Sequence, residues 1–400
     1  MRLLYLVHRV PYPPDKGDKI RSFRWLDHLA ARHEVHLVTL CDDPADMAHE
    51  DELRRRCASV SITPIGSWSS RVAACCRLLD GKPLSLAFFH KKDAQAAVDR
   101  VLRDHAIDLV LCFSSTMAEY LKPHSELPRV MDMVDVDSSK FATYASHVGF
   151  MKSRLYHLEA RRLALYEEAI AREFDAVILC TPPEAALLEA RCPGQRIEAI
   201  GNGATPPDEA LLPRPGDRRG STILFVGAMD YFANVDAVVF AARDVMPLIR
   251  QQVPDAEFHI VGRGPTAEVR ELARLPGVVV PGGVPDLSEH LRAARMSLVP
   301  LRIAQGIQNK VLEAMTWRLP VVTTPRIVRS LGAEEGRHIA SGETAQALAD
   351  RCVALLRNPA ACEQMGQSAR DFVIEHFTWD RETARLEALL ESLLPVEAGR

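Results

Sequence analysis

The sequence has no long apolar run, no paired-cysteine motif, no marked excess of charge of one sign and no complete dinucleotide fingerprint. The opening apolar run, 1–7, stops at His8, Arg9 and three prolines, too soon for a secretory signal or a spanning helix. No other run approaches the roughly 18 residues a membrane span requires, so any membrane is expected to be met from the side. Nine cysteines without a Cys-x-x-Cys pair argue against a zinc ribbon and against a disulfide framework. They read as reduced thiols, and the expected location is the cytoplasm. Lys plus Arg number 49 against 53 for Asp plus Glu, which leaves no basic footprint for nucleic acid.

What is present fits a soluble globular chain. With 400 residues, 47% hydrophobic and 26% charged, the length suits two domains of about 200 residues each. Short apolar runs at 3–7, 34–40, 59–65, 107–112, 129–136 and 175–181 alternate with helical patterns, the signature of βαβ units. The stretch 201–220 collects Gly201, Gly203, Pro206, Pro207, Pro213, Pro215 and Gly216, a density of breakers that suits a linker. The rhythm then restarts at 222–226, 257–261, 278–280, 297–299 and 320–323. The expected fold is therefore α/β, two doubly wound Rossmann-like domains facing a cleft. The N-terminal domain takes 1–202, the linker 203–220 and the C-terminal domain 221–378, with a closing helix at 379–400 able to cross back.

In such sheets ligands sit at the carboxyl ends of strands, so the loops after the apolar runs carry the candidate chemistry. The loop HRVPYPPDKGDKIR, 8–21, offers Gly17 just before a helix start suited to anions; a proline-braced turn is the alternative. FVGAMD (225–230) and HIVGRGP (259–265) place Gly227 and Arg263 after two strands, and VPGGV (280–284) supplies Gly282 and Val284. None completes a dinucleotide fingerprint, because Pro265 follows Gly264. The most specific segment is VPLRIAQGIQNKVLEAMTWRLPVVTT, 299–324. Its Gly306 loop leads into a helix on which Lys310 and Glu313 stand one turn apart. A carboxylate there can accept from a ribose diol, while Lys310, Arg302 and the helix N-terminus can neutralise a diphosphate. The alternative is a solvated ion pair between the two.

GIQNKVLEAM with PVV resembles the group 1 (family 4) glycosyl transferases of the GT-B fold. FVGAMDYFANVDAV, VPGGVPDL and HRVPYPPDKGDKIRS resemble most the sugar transferases associated with exosortase and PEP-CTERM exopolysaccharide loci, over nearly the whole chain. The resemblance implies a nucleotide-sugar donor as co-substrate, no further cofactor, no metal, a glycan or lipid-linked acceptor, and transfer with retention. It places Gly17 opposite the donor diphosphate, Gly282 and Val284 at the base and Glu313 at the ribose. Lys310 with Gly306, Ile307, Gln308 and Asn309 would hold the phosphates. Two positions depart from the pattern. Gln305 stands where many relatives carry a sugar-contacting glutamate, and Asn234 where many carry a phosphate-binding cation; Arg302 or Arg263 is expected to compensate.

A cationic and amide cradle would stabilise the leaving diphosphate, with Arg302 and Lys310 in that role and His8 or Asp132 facing the acceptor. Asp135 and Asp137 form an Asp-x-Asp that no fold cue supports as a metal site. A nucleotide-sugar epimerase, or a protein that binds nucleotide sugars without catalysis, is the rival reading. The segment 67–90, with Trp68, Val72, Leu78, Leu79, Leu84, Leu86, Phe88 and Phe89 among Arg71, Arg77 and Lys82, suits either an inner-membrane surface or a packed helix. Oligomeric state is left open.

Overall fold

The computed structural model describes residues 1–66, 81–146, 149–218, 220–303 and 306–394. Gln305, Trp68, Val72, Leu78 and Leu79 lie outside the described residues. The chain forms two compact units, Met1–Gly201 with Glu382–Arg400, and Asn202–Arg381.

The first unit carries seven strands: β1 (Arg2–Val7), β2 (Glu34–Cys41), β3 (Ser59–Pro64), β4 (Leu109–Phe113), β5 (Arg129–Val134), β6 (Ala176–Leu179) and β7 (Ile197–Ala199). Their order is β3-β2-β1-β4-β5-β6-β7, and every pairing is parallel. Helices cover both faces of a parallel sheet, so its central strands are apolar without alternation; LLYLV of β1 and LVLCF of β4 are buried throughout. Strand order reverses between β1 and β4, which opens a crevice at their carboxyl ends.

The closing helix Trp379–Glu391 belongs to this unit from Glu382 onward. Leu386, Leu389 and Leu390 are buried, the Gly201 amide donates to Glu382 at 2.6 Å, and Glu387 meets His28 at 2.9 Å and His33 at 3.0 Å. Of the segment read as either membrane-facing or packed, the described part is packed. Leu84–Phe89 is a short helix with Leu86 buried and Phe88 and Phe89 against the core.

The second unit carries β8 (Thr222–Val226), β9 (Glu257–Val261), β10 (Val278–Gly282), β11 (Met296–Val299), β12 (Val321–Thr323) and β13 (Ala340–Ser341). The order is β10-β9-β8-β11-β12-β13, again parallel, with the reversal between β8 and β11. On this unit's side the entering and leaving chain segments touch. The Ala204 amide donates to the Phe377 carbonyl at 2.7 Å, and a Cβ on Gly203 would stand 2.4 Å from the Trp379 nitrogen. The breaker-rich stretch 203–218 clusters with this unit and includes the short 3-10 turn Glu209–Leu211.

Candidate functional site

In the second unit the switch point is built from backbone first. The Gly227 amide donates to Val261, the Gly262 amide to Gly282 at 2.9 Å, and the Met229 amide to Arg263 at 2.8 Å. The loops after β8, β9 and β10 are thus laced together. Gly262 has φ +155°, and a Cβ on it would stand 1.6 Å from the Gly227 carbonyl oxygen, so the two loops touch only because Gly262 has no side chain. Gly227 also leaves room for Asn234, whose amide nitrogen would lie 2.7 Å from a Cβ there. Val284 sits partly exposed in the loop after β10.

Across the switch, β11 ends at Val299 and the chain turns through Gly306, whose φ of +64° is the left-handed backbone that glycine adopts most easily. It then enters the helix Asn309–Thr316, whose N-cap residue Gln308 makes no side-chain cap hydrogen bond. Ile307 is buried, and the Asn309 carbonyl oxygen of the side chain accepts from Asn202 at 2.9 Å. Thr323 and Thr324 hydroxyls donate to Val299 and Leu301, fixing the root of the loop.

Lys310 sits over the Phe225 ring, its ammonium 5.2 Å from the centroid, and donates to Asn234 Oδ1 at 2.6 Å. Asn234 is itself buried and donates to the Ala228 carbonyl. Among the described residues no carboxylate pairs with Lys310, and burial alone pushes its pKa down to about 7. Glu313, one turn along, reaches solvent but has no cationic partner among the described residues; the protein around its carboxyl raises its pKa by desolvation. The solvated Lys310–Glu313 ion pair is therefore not what this helix forms. An ammonium without a carboxylate partner, the amides of a helix start and a glycine in the loop before it suit an anion, and a carboxylate one turn on suits hydroxyl donors.

Arg302 behaves otherwise. Its guanidinium grips Asp236, Nε to Oδ2 at 3.0 Å, and lies 4.8 Å from the centroid of Phe240. In this structure that guanidinium is therefore paired with a carboxylate, whereas Lys310 has no carboxylate partner among the described residues. Arg263 is exposed and contributes its backbone carbonyl to the lacing. Asn234, read as a missing cation, instead holds the cation in place.

In the first unit, His8 ends β1 at the switch point. Its ring stacks on Phe113 at 5.8 Å and meets Phe89 edge-on at 5.6 Å. Nε2 lies 3.4 Å from Asp18 Oδ2, while Nδ1 is buried without a hydrogen-bond partner among the described residues. Burial would raise the Asp18 pKa, but His8 and Arg9 together hold it far below the usual carboxylate range. Gly17 opens the helix Gly17–Ala30, with open space where a Cβ would go. Asp132 does not face an acceptor. It is fully buried and accepts from Arg21 Nε at 2.8 Å, Trp25 Nε1 at 2.7 Å and the Val134 amide. Arg21 also donates to the carbonyls of Ile200 and Gly201, so the pair pins the end of the unit. Asp135 is partly buried, its pKa raised by desolvation, as is that of Glu184, pushed up to about 8 by burial and then by Asp135.

Residues 220–358 match the family described as glycosyl transferases group 1, and residues 21–203 match the glycosyl transferase 4-like domain. A curated relative, the GDP-mannose-dependent alpha-(1-6)-phosphatidylinositol monomannoside mannosyltransferase of Mycolicibacterium smegmatis, is 29% identical over 164 residues, 36% of this chain and 42% of that protein. The match thus spans less than half of that relative. Among solved structures, sucrose-phosphate synthase from Thermosynechococcus elongatus superposes with a TM-score of 0.72 at 18% identity, covering 98% of this chain and 99% of that one. HepE of Anabaena, solved with UDP and glucose, gives 0.63 at 14% identity over 98% and 100%.

Proposed function

Because the chain belongs to the group 1 glycosyltransferases and shares the GT-B fold of its structural neighbours, we propose that it moves a sugar from a nucleotide-sugar donor to a glycan or lipid-linked acceptor. The observation that carries this reading is Lys310, a half-buried ammonium with no carboxylate partner among the described residues, one residue inside the start of its helix. In this reading Lys310 and the amides from Gly306 to Asn309 hold the diphosphate. Glu313 takes the ribose hydroxyls, and Gly282 with Val284 flanks the base. Leaving-group charge develops as the sugar–phosphate bond breaks, and Lys310 stabilises it without a metal. His8, whose Nε2 is oriented by Asp18, serves the acceptor hydroxyl. Exopolysaccharide synthesis at the inner face of the cytoplasmic membrane, with retention at the transferred carbon, is the setting we assign.

The relative named for GDP-mannose and the neighbour holding UDP and glucose make GDP- and UDP-sugars the first donors to screen. Binding of UDP and GDP is followed by calorimetry, and products are analysed with and without a lipid-linked or glycan acceptor. Lys310→Ala is expected to lower kcat/KM by about 10²–10³, the usual loss for one group that stabilises developing negative charge. Full turnover in Lys310→Ala would overturn the phosphate role. Conversion of the donor to an isomeric nucleotide sugar without acceptor would favour an epimerase instead.

A further inference from the structure

One cluster of ligating side chains lies away from every loop described above. Glu34 opens β2 and His36 follows two residues on, so both project from the same face of the strand. His105 ends the helix Lys92–Asp104, and its ring lies 4.1 Å from that of His36, centroid to centroid. One ligand atom from each of Glu34, His36 and His105 falls within 4.8 Å of the others. These residues stand at the amino end of β2, the opposite end of the sheet from His8.

The arrangement has the second shell that metal-bound histidines require. His36 is fully buried, and its Nδ1 is held by Ser59 Oγ at 2.8 Å. Ser59 is its register partner on β3. That bond fixes the ring and leaves Nε2, 3.3 Å from Glu34 Oε1, as the atom turned toward the cluster. A hydrogen bond to the other ring nitrogen is the usual device that orients a ligating imidazole. Glu34 is half exposed, so its carboxylate can swing onto an ion at the roughly 2.0–2.2 Å that zinc requires.

We propose that Glu34, His36 and His105 form a site for one borderline divalent transition-metal ion of the zinc class, with a water in the remaining position. Two imidazoles and one carboxylate suit zinc, cobalt or nickel and disfavour magnesium and calcium, which take oxygen ligands. The ion clips the start of β2 to the end of the Lys92–Asp104 helix. Its role is in the stability of the first unit, and it is independent of the donor reading.

The full-length protein, stripped of metal, is titrated with zinc by calorimetry and with cobalt by visible absorption. The expected result is one ion per chain, with cobalt d–d bands and no thiolate charge-transfer band. The thermal midpoint should rise with zinc, because the ion binds the folded form. Glu34→Gln and His105→Ala, both at solvent-reaching positions, should each weaken binding at least about tenfold and abolish the zinc-dependent rise. Ser59→Ala should weaken it by about 10–100-fold, as loss of an outer-shell partner does. Metal-free unfolding shows that each variant is folded. Equal zinc affinity in wild type and both ligand variants, or no binding by folded wild type, overturns the site and leaves a plain Glu–His hydrogen bond.

Discussion

An ammonium that has lost its water and gained no carboxylate favours any anion that restores the lost stabilisation. Lys310 is held at a pKa of about 7 by desolvation, so above about 7 the free protein carries it neutral. A bound diphosphate raises that pKa, because opposite charge favours the protonated form. Binding in the interval between the two values therefore takes up a proton. Nucleotide affinity should be flat below pH about 7 and fall roughly tenfold per unit above it until the bound pKa is reached. Titrations in buffers of different ionisation enthalpy measure the proton count, and Lys310→Arg, charged throughout, should lose the pH dependence. Lys310 and Glu313 were legible in the sequence because their spacing is local. The fates of Asp132 and Arg302 were not. Asp132 meets Arg21 from 111 positions away and Arg302 meets Asp236 from 66, and no local pattern encodes such partners. The bond between Lys310 and Asn234 was hidden for the same reason, since it spans 76 positions.

At the scale of elements, the loops after β8 and β9 depend on one backbone contact. Gly262→Ala puts a Cβ where the Gly227 carbonyl already lies, and neither is a flexible tip that can yield. The variant should be destabilised by about 1–3 kcal/mol or more, the range for overpacking, and should bind nucleotide more weakly through displacement of the β8 loop. Chemical denaturation and calorimetry read the two effects separately. Most strands were readable as buried apolar runs bounded by breakers. β7, Ile-Glu-Ala, and β13, Ala-Ser, were not, because neither presents an apolar run.

At the scale of the molecule, the helix end that joins the first unit is fastened electrostatically as well as by its leucines. Burial would raise the Glu387 pKa, but His28, His33 and Arg32 hold it below its ordinary value. A depressed carboxylate contributes stability above its unfolded pKa and loses that contribution as pH falls through the folded one. Glu387→Gln should therefore lower the unfolding midpoint at neutral pH and narrow its gap to wild type in acid, as thermal melts across the acid range would show.

The first unit is made of two stretches of chain, Met1–Gly201 and Glu382–Arg400, with the whole second unit inserted between them. The polypeptide accordingly passes from one unit to the other twice, at 201–202 and 381–382, and the Gly201–Glu382 bond links the two passages. A protease cut in the exposed 208–211 turn should then yield not two separable domains but a split protein. The C-terminal fragment would carry in Leu386, Leu389 and Leu390 the piece that completes its partner's core. Gel filtration of the nicked protein should recover both fragments in one peak, and separately expressed halves should reconstitute each other when mixed.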